Sequence, residues 1–197
     1  MQDWNFRDSL GISVVHYASQ CKNGVFLKEL LQRGDMLEVF DSQGFSPLHY
    51  AAAQGSTNCI KILLSRCPNL LEKKGKDGQT PLFSAVQHEA FSAVELLLES
   101  RVNPNSTIID LTPLLWAIQS KNTPIATKLI EHPDVDLDYA VKGGKTALEF
   151  AIQMEESQIL KKLIVNGADV NRLCKGHTPH ANIAVVSQFL INQPFNS

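Results

Sequence analysis

Two short stretches of the sequence contain residue types that bind phosphate or calcium in other proteins. Gly143-Gly144-Lys145-Thr146 ends like a phosphate-binding loop, but that loop requires G-x-x-x-x-G-K-[ST], and Tyr139 occupies the first glycine position. The alternating acids of residues 134–138 resemble the start of a calcium loop, which needs glycine at its sixth position and glutamate at its twelfth. Those positions hold Tyr139 and Lys145. We therefore expect no nucleotide, metal or other cofactor here.

The histidines and cysteines also lack the spacing of catalytic or metal sites. The histidines form no H-E-x-x-H pattern, and the cysteines form no C-x-x-C pair. A nucleophile and a base could meet only in three dimensions, but no G-x-S-x-G motif accompanies them, so we expect no enzyme in this segment. Unpaired thiols favour structural roles in a reducing compartment. These residues are His16, His49, His88, His132, His177 and His180, with Cys21, Cys59, Cys67 and Cys174.

Composition narrows the class of protein further. The chain has 197 residues, of which 44% are hydrophobic and 19% charged, so it can bury a continuous core. A formal net charge of −2 argues against nucleic acid as a partner, and it provides no excess positive charge for binding anionic membranes. No apolar run is long enough to span a bilayer, and the first residues lack the layout of a signal peptide. We expect a cytoplasmic or nuclear protein.

The elements that would position functional residues come from a motif repeated along the chain. Its clearest copy, residues 44–53, reads Gly-Phe-Ser-Pro-Leu-His-Tyr-Ala-Ala-Ala. The six copies start at Gly11, Gly44, Gly78, Asp110, Gly144 and Gly176, which are separated by 33, 34, 32, 34 and 32 residues. A constant period of this length predicts a solenoid, in which each unit packs only on its neighbours.

Each unit is predicted to contain two helices. A Ser or Thr two residues after the start can cap the first helix, and the following Pro is tolerated in a first turn. Seven residues after the start comes alanine, which predicts a helix face pressed against another helix: Ala18, Ala51, Ala85, Ala117 and Ala151. Second helices are predicted over 25–31, 59–64, 93–98, 125–130 and 159–165, with Gly34 and Gly167 ending the first and the last.

The T-P-L-H-x-A core and the period near 33 are similar to those of the ankyrin-repeat family. The resemblance implies an all-α ankyrin-repeat solenoid of stacked helix-turn-helix units with β-hairpin-like fingers. It also implies that His16 and His49 bond backbone groups and join adjacent units. We expect one domain over 1–197, with repeats at about 8–40, 41–74, 75–106, 107–140 and 141–172 and a partial cap at 173–197. The shortened last unit is either a cap or the point at which a longer protein was cut.

The resemblance further implies that a partner binds the finger tips and the concave face of the first helices. Six residues after the start, aromatic residues recur, and nine after it glutamines recur, three residues apart on one helix face. Either the aromatics pack between helices and the glutamines are solvated, or both contact a partner. Phe45 and Leu111 are apolar tips, whereas Ile12 could be covered by Trp4 and Phe6. The predicted partner-binding residues are Tyr17, Gln20, Phe45, Tyr50, Gln87, Leu111, Trp116, Gln119, Phe150 and Gln153.

Two functions of different classes are consistent with this pattern. The first is a monomeric, non-enzymatic interaction module, an adaptor or scaffold that holds a protein or peptide of mixed polarity. The second is the targeting arm of a larger multidomain protein, such as an enzyme, a channel or a secreted bacterial effector acting in the host cytosol. Whether the natural reading frame continues past Ser197 would distinguish them.

Overall fold

The computed structural model describes residues 6–32, 38–142 and 144–174. The predictions for Trp4, Gly34, Gly143, His177, His180, the side chain of Cys174 and the partial unit beyond residue 174 lie outside these ranges. Within them the chain forms α-helices joined by short 3₁₀ turns, with two isolated β-bridges and no sheet. The predicted all-α fold is confirmed.

Ten α-helices of the described chain form five antiparallel pairs. The first helices of the pairs are α1 (Val14–Ser19), α3 (Pro47–Ala53), α5 (Pro81–Gln87), α7 (Pro113–Gln119) and α9 (Ala147–Gln153). The second helices are α2 (Val25–Gln32), α4 (Thr57–Arg66), α6 (Phe91–Glu99), α8 (Thr123–Ile130) and α10 (Ser157–Val165). Each predicted second helix lies inside an observed one. Gly167, just past α10, has φ +95°, as its predicted role at the helix end requires.

The first helices start where the repeat motif predicts, because each has a cap. Thr80 and Thr112 accept hydrogen bonds from backbone N–H groups three residues on, at 3.3 and 3.2 Å. In α9, which lacks the proline, Glu149 accepts the backbone N–H of Thr146 at 2.9 Å. The caps fix where each helix begins and so hold the same register in every unit.

The core confirms the two apolar columns of the motif. The five alanines seven residues after each start are at most 1% exposed. The residues four after each start are also buried, namely Val15, Leu48, Leu82, Leu114 and Leu148. First helices contact one another in sequence from α1 to α9, and successive second helices contact one another from α4 to α10. The alanine-bearing first helices pack more closely on one another than the second helices do. We call the row of first helices the inner row and the row of second helices the outer row.

In the described part of the chain, a finger precedes the first helix of each of the five units. Four are five-residue loops, closed by backbone N–H to carbonyl bonds from Asp8 to Ile12, Asp41 to Phe45, Gly75 to Gln79 and Val141 to Lys145, at 2.8–3.1 Å. The remaining finger, which is the fourth along the chain, is one residue shorter. In it the backbone N–H of Ile108 donates to the carbonyl of Leu111 at 3.0 Å, and the N–H of Leu111 donates to the carbonyl of Ile108 at 2.9 Å. The two residues between them have positive φ, as the two-residue turn of a β-hairpin requires.

Candidate functional site

The fingers and the inner helix row form one groove. We define the groove as the surface between the fingers and the solvent-facing side of α1, α3, α5, α7 and α9. Nine of the ten predicted partner-binding residues belong to the fingers or to these helices, and Gln20 directly follows the last residue of α1. Their surroundings differ from unit to unit, because the residue one after the start differs: Ile12, Phe45, Gln79, Leu111 and Lys145.

The aromatic residues of the groove are held by their own unit or by a neighbour. Tyr17, which is 51% exposed, donates its hydroxyl to Asp8 at 2.8 Å, and Tyr50 donates to Asp41 at 2.7 Å. Both aspartates also accept backbone N–H groups of their fingers, so each tyrosine fixes the finger above it. The hydrogen bond to Asp8 raises the pKa of Tyr17, and burial followed by the Asp41 bond raises that of Tyr50.

Trp116 and Phe150 are less available than the tyrosines. The Trp116 ring meets Phe83 of the preceding unit edge to face, with centroids 5.5 Å apart. Phe150 is 9% exposed and forms part of the core. These contacts support the packing alternative for both rings, although Trp116 is only half-buried and Phe150 lines a surface cleft.

The glutamine column divides into paired and unpaired members. Gln87 accepts a hydrogen bond from Gln79 at 2.9 Å, and Gln153 accepts one from Lys145 at 3.0 Å. In the described part of the chain, the side chains of Gln20 and Gln119 make no hydrogen bond. The partner in each pair is the residue one after the start, eight residues earlier. Where that residue is apolar, as Ile12 and Leu111 are, the glutamine side chain has no internal hydrogen-bond partner.

The histidine column joins the first three units. The Nδ1 atoms of His16 and His49 accept backbone N–H groups of Ser13 and Ser46, at 3.1 and 3.0 Å. Their Nε2 atoms lie 3.0 and 2.9 Å from the carbonyl oxygens of Phe45 and Gln79 in the next finger. The predicted link between units is therefore present at both histidines.

Both histidines are nearly inaccessible to solvent. Burial lowers the pKa of His16 and lowers that of His49 to about 4. Because a neutral ring can donate from Nε2 while accepting at Nδ1, this arrangement fits the uncharged form at neutral pH.

Among the described residues, two clefts lie along the groove. The cleft at the second and third units has a volume of about 290 Å³ and includes three predicted residues, Gln20, Phe45 and Tyr50. The cleft at the fourth and fifth units has a volume of about 460 Å³ and includes three more, Leu111, Gln119 and Phe150. Tyr17, Gln87, Trp116 and Gln153 lie outside both clefts. We refer to them as the first cleft and the second cleft.

One exposed apolar residue beside the second cleft is absent from the set predicted from the sequence. Ile109 at the tip of the fourth finger is 83% exposed and has φ +46°. Counting along the motif begins at Asp110, and Ile109 precedes that start. A signal was available, since the spacing from Gly78 to Asp110 is two residues shorter than the preceding one.

The outer helix row differs in chemistry from the groove. Lys128 and Glu95 form an ion pair of 2.7 Å between neighbouring second helices, and Lys162 pairs with Glu131 in the same way one unit on. In the ranges described, no group of three or more His, Cys, Asp and Glu is arranged to hold a metal ion. No helix within those ranges is both long and apolar enough to cross a membrane.

Comparisons with known proteins agree on the fold. A family model described as ankyrin repeats (3 copies) matches residues 15–108 and 106–174. An ankyrin repeat protein of Acanthamoeba polyphaga mimivirus is 30% identical over 86% of this chain, which spans 23% of that protein. The human transient receptor potential cation channel subfamily A member 1 is 30% identical over 83% of this chain, which spans 14% of it.

A solved structure is similar along nearly the whole chain. The ankyrin repeat domain of Bcl-3, a member of the IkappaB protein family, superimposes with a TM-score of 0.80 at 22% identity. The match covers 94% of this chain and 86% of that one. At this identity the similarity concerns the fold alone.

Proposed function

This chain belongs to the ankyrin-repeat family, and on that premise we propose that it holds a segment of one partner protein along the groove. Ankyrin-repeat domains are protein-interaction folds that typically carry no catalytic activity. The proposal goes further in assigning the contact surface to the two clefts, in expecting a partner of mixed polarity, and in expecting the chain to bind without catalysing a reaction.

One observation carries the proposal: apolar surface and unpaired amides occur together at both clefts. Gln20 stands beside Phe45 in the first cleft, and Gln119 beside Leu111 in the second. An exposed amide with no internal partner can bond the backbone of an extended segment, and a neighbouring apolar residue can bury one of its side chains. This combination suits a polypeptide of mixed polarity better than a strongly charged one.

The test is capture of a partner from a cell lysate with the whole chain as bait. The groove variant combines Gln20→Ala and Gln119→Ala, which remove the two unpaired amides and leave the core intact. The matched control combines Gln158→Ala and Glu99→Ala, which truncate exposed side chains of the outer row. Circular dichroism and urea unfolding establish that each variant is folded.

We expect the parent and the control to retain the same partner and the groove variant to lose it. Since truncation of a central contact costs more than about 1 kcal/mol, the two substitutions should weaken binding by at least about tenfold. A partner held equally by all three proteins would place the contact surface outside the clefts and refute the proposal.

A second candidate function has its own support. The chain spans less than a quarter of the mimivirus protein and of the human channel. We infer a targeting arm whose whole protein carries a further activity elsewhere. Sequencing the transcript past the codon for Ser197 tests this, because a stop codon there would exclude a carboxy-terminal extension.

A further inference from the structure

Three neighbouring fingers differ sharply in chemistry at their tips. The third carries Lys74 and Lys76, the fourth carries Ile109, and the fifth carries Lys142 and Lys145. All five side chains are exposed. We call this set the tip row. It places an apolar residue between two pairs of cations along one edge of the groove.

Ile109 is unfavourable where it stands in two independent ways. A β-branched residue at φ +46° is strained, because such residues rarely adopt the left-handed region. Its side chain is also 83% exposed, so it gains nothing from the core in return. Asn or Gly is the usual residue in a two-residue hairpin turn. Neither the turn nor the packing of the described chain explains an isoleucine here, which points to a contact with another molecule.

The second cleft opens directly beside Ile109. Its apolar lining comes from Ile109, Leu111, Val141 and Phe150, and its volume is about 460 Å³. A single large aliphatic or aromatic side chain fits within such a volume. Leu111 and Val141 pack against the core, whereas the Ile109 side chain is almost fully exposed.

The lysines of the tip row are largely free to meet carboxylates. Neither of the two ion pairs in the described structure involves them. Lys145 donates to Gln153, a neutral amide, and Lys73 beside the row lies 5.8 Å from the Phe40 ring.

Two aspartates on the same fingers offset part of this charge. Asp77 is exposed, and Asp110 accepts the Tyr139 hydroxyl at 2.8 Å and the backbone N–H of Lys142. The hydrogen bond from Lys142 is the larger cause and that from Tyr139 the smaller, and both lower the pKa of Asp110. The Asp110 carboxylate is therefore already bonded within the chain. Four lysines against two aspartates leave the row net positive.

We propose that the tip row binds an extended segment of a partner protein in which one apolar side chain is flanked on both sides by carboxylates. The apolar side chain enters the second cleft beneath Ile109, one acid meets Lys74 and Lys76, and the other meets Lys142 and Lys145. Stacked helices lie about 10 Å apart, and an extended chain rises about 3.3 Å per residue. The acids therefore stand about three residues before and after the apolar residue. This inference rests on the proposed function and specifies its partner.

The proposed peptide pattern, an apolar residue flanked by acids, is tested with a phage library. The library displays random peptides of about twelve residues and is selected on the whole chain. Enriched peptides are then synthesised with a fluorescent label, and their affinity is measured by anisotropy at two salt concentrations. We expect an apolar residue with Asp or Glu about three positions away on each side, and weaker binding at higher salt.

Two variants test whether the tip row is the surface that binds the selected peptides. Ile109→Asn should weaken binding by at least about tenfold while raising the urea midpoint, because asparagine tolerates positive φ. Lys142→Gln with Lys145→Gln should weaken binding and reduce its salt dependence. A matched control, Lys61→Gln on α4, should change neither, since Lys61 is exposed on the outer row.

The outcomes separate this inference from the proposed function. Peptides bound equally by the parent and Ile109→Asn but lost by the Gln20→Ala, Gln119→Ala variant would overturn the tip row and leave the groove as the binding surface. Enriched peptides without acids, or none enriched, would also overturn it, and the lysate capture would still decide the function. Lysine-dependent binding of a single-stranded oligonucleotide or of phosphatidylserine vesicles, with no peptide enriched, would overturn it by assigning the row to another class of partner.

Discussion

His49 gives the folded chain a stability that depends on pH, and its size can be worked out. The side chain is 2% exposed, its Nε2 lies 2.9 Å from the Gln79 carbonyl oxygen, and burial lowers its pKa to about 4. An unfolded histidine has a pKa of about 6.5, so between these values the unfolded chain binds a proton that the folded chain does not. The free energy of unfolding is therefore highest above the unfolded pKa and falls as the pH drops from about 6.5 to about 4.

The magnitude follows from the two pKa values. At about pH 5.5 the unfolded histidine is protonated about ten to one, which lowers the free energy of unfolding by about 1.4 kcal/mol. Well below about pH 4 the loss approaches its limit of about 3.4 kcal/mol, from 1.36 kcal/mol for each of about 2.5 pKa units. His16 contributes in the same direction, because burial lowers its pKa as well.

Urea unfolding at about pH 7.5 and about pH 5.5, followed by circular dichroism, measures the effect. The parent is compared with His49→Gln, which cannot titrate in this range. The variant loses its bond to Gln79 and should be less stable by about 1–3 kcal/mol at both pH values. The informative quantity is the difference between the two pH values, which should be smaller in His49→Gln than in the parent by about 1.3 kcal/mol.

A control variant separates titration from general destabilisation. Ile60→Val, fully buried on α4, should cost about 0.5–1.5 kcal/mol and keep the pH dependence of the parent, since both histidines remain. If the parent, His49→Gln and Ile60→Val all lose the same free energy on acidification, the buried neutral histidine is not the source, and the reasoning fails.

Three further predictions concern the fingers and a helix start. Ile109→Asn should raise the free energy of unfolding by about 1 kcal/mol, by relieving the strain at φ +46°; a lower urea midpoint would contradict that strain. Gly75→Ala should cost about 1–3 kcal/mol, because its Cβ would lie 2.3 Å from the Phe45 ring; unchanged stability and an unchanged first cleft in a crystal structure would mean that the ring yields freely. Ala147→Pro should stabilise the chain by about 0.4–1 kcal/mol and slow hydrogen exchange in α9, since Thr146 is already extended with ψ 173°; equal exchange in α9 of the parent and the variant would count against the role of the missing proline.

The repeat period predicted the fold because solenoid contacts are local. Ala85 and Leu82 repeat at fixed distances from each start, so their burial follows from the pattern of one helix face. The same reasoning could not give the state of each groove residue. Whether Trp116 is free depends on Phe83 of the preceding unit. Phe83 occupies the position that His16 and His49 hold in the first two units, so the residue type at this position changes from unit to unit.

The finger tips were predicted less well, because the fourth finger is built differently. Its two-residue turn shifts Asp110 into the place that glycine holds in the other units. Counting from the start of the motif thus passed over Ile109 and singled out Leu111, which pairs with Ile108 and is only partly exposed. A shortened spacing between copies is the feature that would have revealed the change.

The position one residue after each start determines which glutamines of the groove have an internal hydrogen-bond partner. In the third and fifth units that residue is Gln79 or Lys145. It donates a hydrogen bond to the glutamine eight residues later, so the side-chain oxygen of that glutamine has a partner within its own unit. In the first and fourth units it is Ile12 or Leu111, which cannot, and the amides of Gln20 and Gln119 stay open beside apolar surface.

Free amides therefore occur at two places along the groove, separated by the self-paired third unit, and each lies in one of the two clefts. A partner that contacted only one cleft would leave the unpaired glutamine of the other cleft without a binding role. We accordingly expect Gln20→Ala and Gln119→Ala to weaken binding separately and in nearly additive steps, because the two sites share no contact. Loss of affinity from one substitution alone would restrict the partner to a single cleft.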